Sequence, residues 1–95
     1  MTSVVCTVDY AKKIIDMKGQ EQAAHIANLI IMDSFDDAFR SQAESKQVKV
    51  YSMQEVMDAG LVKAKVEPPR SKEDVYILSY TSGTTGDSKG VKLTH

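Results

Sequence analysis

The chain has 95 residues, with 12 Lys and Arg against 13 Asp and Glu and a net charge of −1. Hydrophobic residues make up 42% and charged residues 26%, the balance of a folded globular chain rather than a disordered tail. That length allows at most one domain, and the interspersed charge offers no basic patch for nucleic acid.

Residues 3–8 are apolar and β-branched and read as a buried strand. Asp9 offers the cap of a helix in which Tyr10, Ala11, Ile14, Ile15 and Lys18 follow helical spacing, with Gly19 as its stop. Residues 20–25, with His25 among them, are polar and weakly patterned, and residues 26–32 read as a second buried strand. Ser34 caps a second helix, Asp36 and Asp37 oppose its positive dipole end, and Phe35, Ala38 and Phe39 share one face. Residues 48–51 form a third, short strand. Ser52 and Glu55 then match a capping box, Met53, Val56 and Met57 line one helix face, and Gly60 ends the helix. Strand starts at Ser3, Ile26 and Val48 are spaced like βαβ units, which predicts an α/β fold with a mainly parallel sheet.

The remaining signals in this part are structural. Cys6, the single cysteine, cannot form an internal disulfide and sits in an apolar run, so it reads as a buried thiol of a reducing compartment. Met17, Met32, Met53 and Met57 read as core filler. Residues 27–32 are too few to cross a bilayer and the N-terminus has no cationic region, so neither a membrane segment nor a signal peptide is readable. An intracellular location is expected.

The character then changes. Residues 61–74 contain Pro68 and Pro69 and read as a stiff linker closed by a polar turn. Residues 75–80 read as the last buried strand, which runs into a segment of small, hydroxylic and glycine residues. Gly83, Gly86 and Gly90 let backbone N–H groups converge on a ligand, and Thr81, Ser82, Thr84 and Thr85 supply hydroxyl donors. Lys89 adds a positive point charge suited to polyphosphate. A flexible linker is the plainer alternative, but such linkers seldom follow a buried strand and carry a placed lysine. The segment is not a Walker A loop: counting from Gly83 puts Ser88 at the second glycine and Gly90 at the metal-binding hydroxyl. Residues 91–94 alternate like a strand, so the loop is expected to join two strands as a hairpin-like turn.

Residues 80–95, from Tyr80 through Thr81, Ser82, Gly83, Thr84, Thr85, Gly86 and Lys89 to His95, resemble the signature of the adenylate-forming, AMP-binding superfamily. Residues 50–60, the Pro68-Pro69 linker and Asp74 look like long-chain fatty acyl-CoA synthetases within it. The resemblance implies a piece of an N-terminal domain, with residues 1–60 as βα units, 61–74 as a linker and 75–95 as strand plus phosphate loop. It implies an ATP-dependent acid–thiol ligase in which a fatty-acid carboxylate attacks the α-phosphate of ATP and CoA then displaces AMP. Mg²⁺ would accompany the ATP. Thr81, Ser82, Gly83, Thr84, Thr85, Gly86 and Lys89 would bind the nucleotide phosphates, and His95 matches a position near the acyl pocket. The family usually has Pro where this chain has Ser88, which implies a looser turn. The adenine, ribose and metal contacts of the family come from later motifs absent from these residues. The chain alone is therefore expected to lack ligase turnover. Two other readings share the residues: a small non-catalytic phosphate-binding module, and a decayed interaction domain.

Overall fold

The computed structural model describes residues 2–63, 65–84 and 86–95. They form two compact units, residues 1–65 and 66–95. The first contains β1 (Ser3–Cys6), α1 (Val8–Gly19), β2 (Asn28–Ile31), α2 (Asp37–Ser45), β3 (Lys49–Ser52) and α3 (Met53–Val62). The second contains β4 (Val75–Thr81) and β5 (Lys89–Thr94).

The sheet of the first unit is parallel throughout, in the order β1–β2–β3. Its register aligns Val4 with Leu29 and Val50, and Val5 with Ile30 and Tyr51. Side chains alternate across a strand, so these two rows lie on opposite faces. Leu29, Ile31 and Val50 are buried together with Ala11 and Ile15 of α1 and Phe39 and Ala43 of α2. Both helix pairs are four residues apart, the spacing that brings two side chains to one face. The other sheet row, Ile30 and Tyr51, lines an open groove of about 540 Å³ with Val56 and Ala59 of α3. The α/β class and the parallel order follow the strand spacing seen in the sequence.

The helix ends differ from expectation in instructive ways. α1 starts two residues earlier than an Asp9 cap allows: Thr7 is the cap residue, and its side chain makes no capping bond. Asp33, which follows β2, instead accepts a hydrogen bond from the Val8 N–H at 2.7 Å. A long-range carboxylate thus does the work of a local cap. α2 is capped by Asp36 rather than Ser34, its carboxylate accepting from the Phe39 N–H at 2.8 Å. Ala38 is consequently exposed, and Phe39 and Ala43 form the buried face.

Neither Gly19 nor Gly60 stops its helix; Gly19 is the last residue of α1, and α3 runs on to Val62. α1 and α2 close instead on Glu21 and Gln47, with φ of 65° and 61°. At each end two bonds reach back, from Glu21 N–H to Lys18 O and Gln22 N–H to Met17 O, and from Gln47 N–H to Glu44 O and Val48 N–H to Ala43 O. This is the Schellman arrangement with a non-glycine residue in the left-handed position. Lys18 reinforces the first of these turns by donating to Ile26 O at 2.6 Å.

The capping box at α3 is present as read: the Ser52 hydroxyl accepts from the Glu55 N–H, and Glu55 accepts from the Ser52 N–H at 2.6 Å. Its apolar residues are not buried, however, and Met17, Met32 and Met57 are exposed rather than core filler. Cys6 is half-buried against the core, and burial together with the nearby Asp33 carboxylate pushes its thiol pKa up. That favours the inert thiol over the thiolate.

Candidate functional site

The second unit is an antiparallel hairpin in which Ile77 pairs with Leu93, Ser79 with Val91, Tyr80 with Gly90 and Thr81 with Lys89. The sequence run 75–80 has the composition of a buried strand, yet Val75, Tyr76, Ile77, Leu78 and Tyr80 are all exposed. An apolar run cannot distinguish a strand covered on both faces from one in a two-stranded ribbon. The expected strand–loop–strand arrangement is present, with β5 following the glycine-rich segment.

The pairing determines where the loop residues lie. Thr81 and Lys89 face each other across the last rung, so residues 82–88 span the gap between two neighbouring strands, about 5 Å wide. The loop folds back on itself within that gap. A Cβ on Gly83 would lie 3.2 Å from the Asp87 carbonyl oxygen and 3.7 Å from Cε of Lys89. A side chain at 83 would therefore crowd the Asp87 carbonyl, and glycine lets the start of the loop approach its end without that crowding. Gly86 adopts φ of 102°, a left-handed conformation that an L side chain resists.

The aliphatic stem of Lys89 consequently lies against Gly83, and the lysine stands at the mouth of the loop. Thr81, Ser82, Thr84 and Lys89 are exposed, and no carboxylate among the described residues forms an ion pair with Lys89. Thr85, the remaining hydroxyl read as a phosphate ligand, lies outside the described residues. The loop and its last rung thus carry three exposed hydroxyl residues and one exposed lysine, groups that can donate to an anion.

His95 is not part of this cluster. It follows the opposite end of the hairpin, where its N–H donates to Asp74 O at 3.3 Å and its ring stands edge-on to Tyr76 at 5.1 Å. Six residue steps of strand lead from Val75 to Thr81, roughly 20 Å at the usual rise. Asp74 also accepts from the Ser71 N–H at 2.9 Å, which closes the turn entering β4.

Two features of the site are not evident from residue types. One is the Asp87 carbonyl packed against Gly83; the other is Tyr80, whose Cε1 would lie 3.4 Å from a Cβ on Gly90. The available signal was Gly90 itself, since glycine inside a strand marks a close approach. Among the described residues no group of three His, Cys, Asp or Glu side chains is placed to hold a metal ion. Among the described residues no helix is long and apolar enough to cross a membrane.

Comparison with known proteins bears on the same residues. The chain is 33% identical to long-chain-fatty-acid–CoA ligase 6 of Rattus norvegicus over 99 residues, covering 99% of this chain. It is 32% identical to long-chain-fatty-acid–CoA ligase 5 of the same organism over 97% of its length. A peroxisomal acyl-CoA ligase of Penicillium roqueforti (strain FM164) is 37% identical over 83% of the chain. The chain spans 14% of the length of each rat protein and 10% of the fungal one. No solved structure matches it significantly. The family model described as AMP-binding enzyme matches residues 2–95, so both units are included and not the glycine-rich hairpin alone. A match of that extent makes the chain a member of the AMP-binding enzyme family.

Proposed function

We propose that this chain supplies the polyphosphate-binding loop of an AMP-forming acid–thiol ligase whose acid is a long-chain fatty acid. The observation that carries the reading is the closed turn in which Gly83 meets Asp87 O and the Lys89 stem, with Thr81, Ser82 and Thr84 exposed in the same short stretch. The named activities of the similar ligases support the choice of acid and thiol.

In such a reaction a carboxylate attacks the α-phosphorus of ATP, forming an acyl-adenylate and expelling pyrophosphate. A thiol, that of CoA, then displaces AMP. Negative charge grows on the leaving pyrophosphate during the first step. Lys89 and the hydroxyls of Thr81, Ser82, Thr84 and Thr85 offset that charge, and the backbone N–H groups near Gly83 and Gly86 add donors. Holding the β- and γ-phosphates also fixes the α-phosphorus for in-line attack. A divalent cation such as Mg²⁺ would enter on the polyphosphate, since the described residues offer it no cage of their own. His95 belongs to a separate, acyl-side role in this reading.

Calorimetric titration with pyrophosphate tests the loop's role. Lys89→Ala is expected to weaken binding about ten- to hundredfold, the loss of one charge-assisted contact. Lys89→Arg retains charge and should fall between the two, while adenosine lacking phosphates should not bind. Unchanged affinity in Lys89→Ala would remove the basis for the reading.

A further inference from the structure

The loop's last rung is followed by a second pair of facing residues. Tyr80 and Gly90 face each other on the rung next to Thr81 and Lys89. A Cβ on Gly90 would lie 3.4 Å from Cε1, 3.5 Å from Cζ and 3.8 Å from the hydroxyl oxygen of Tyr80. The phenol ring therefore lies over the side of Gly90 on which a side chain would stand, at ordinary van der Waals distance from the Cβ position. Aromatic rings laid over a cross-strand glycine fill the gap that glycine leaves and pin the register of a strand pair.

Register matters here because a slip of one residue moves every side chain to the other face. In the present register Thr81 and Lys89 are directly opposed and the Lys89 stem meets Gly83. A slipped β5 would turn Lys89 away from the mouth of the loop. We infer that Tyr80 is a positioning residue: its ring, seated on Gly90, locks the strand register that aims Lys89 and Thr81 into the loop. The inference rests on the phosphate-binding reading for its consequence, and on the hairpin alone for its geometry.

The test measures both in the 95-residue chain: pyrophosphate affinity, and backbone NMR cross-peaks across the Thr81–Lys89 and Ile77–Leu93 rungs. Tyr80→Val removes the flat ring while keeping a residue that favours strands. It is expected to weaken the Thr81–Lys89 cross-peaks, to preserve those of Ile77–Leu93, and to lower affinity about fivefold. Tyr80→Phe keeps the ring and should restore both readouts. Gly90→Val, which pushes the ring off, should reproduce the Tyr80→Val loss and add little to it in the double variant. Tyr76→Ala, four residues away and paired with His95 instead, should leave the loop rung and the affinity unchanged.

Several results overturn the inference. One is an intact Thr81–Lys89 rung in Tyr80→Val; another is joint loss of both rungs, which makes the ring a general support of the hairpin. Equal effects of Tyr76→Ala and Tyr80→Val would do the same. If the wild-type chain binds no pyrophosphate, the phosphate-binding reading fails, and the two rungs still decide the positioning role.

Discussion

Glu55 serves three groups with one carboxylate. It accepts from the Ser52 N–H to complete the capping box, and it takes both guanidinium nitrogens of Arg40, the shortest of these ion-pair contacts being 3.0 Å. The Arg40 hydrogen bond, then the Ser52 N–H, hold its pKa at about 2 against an ordinary 4.5. A carboxyl whose pKa is depressed in the folded state contributes stability that is present above its unfolded value and lost as protonation proceeds. The contribution of Glu55 should therefore be whole above about pH 4.5 and decline toward about pH 2. Urea unfolding at intervals across that range checks this: wild type loses stability on acidification, and Glu55→Gln shows a shallower decline. Parallel declines in the two proteins would show that the pair is too screened by solvent to matter. The Ser52–Glu55 part of this arrangement was legible in the sequence, because both partners sit at fixed local spacing. Arg40 was not, since it reaches Glu55 across fifteen residues of chain.

At the scale of elements, the same divide between local and distant partners explains what was legible. The alternation of strand and helix, and the hairpin around the glycine-rich segment, came from composition and period within short windows. The start of α1 was misplaced because its deciding partner lies elsewhere, and the ends of α1 and α2 because their backbone turns on residues that are not glycine. Asp33 caps α1 from beyond β2, so Asp9 was not needed. Glu21 and Gln47 end α1 and α2 in left-handed conformations that glycine normally takes, so the glycine signal pointed to the wrong residues. These two positions carry a cost, since a side chain in the left-handed region is disfavoured by roughly 1–2 kcal/mol. Gln47→Gly should accordingly stabilise the chain by about 1 kcal/mol, read from the midpoint of chemical unfolding. A destabilised variant would mean that the Gln47 side chain contributes more than its backbone strain removes.

For the whole molecule, the family model spans both units, while the proposed chemistry sits in the smaller one. The larger unit, a three-stranded parallel sheet with buried Leu29 and Ile31, contains no residue assigned to phosphate binding. The loop's donor set was legible because glycine, hydroxyl and lysine cluster in one short stretch. Its closure was not, because the contact of Gly83 with Asp87 O depends on backbone path and not on residue type. The separation of His95 from the loop follows from the hairpin itself, since His95 comes after its second strand.

The central claim is that the loop between β4 and β5 grips a polyphosphate. Amide hydrogen exchange of the chain, with and without saturating pyrophosphate, tests it most directly. Exchange is expected to slow only at residues 81–84 and 86–89, with Leu29 and Ile31 in the larger unit unchanged. Equal exchange at the loop in both conditions, or protection that appears only in the larger unit, would contradict it.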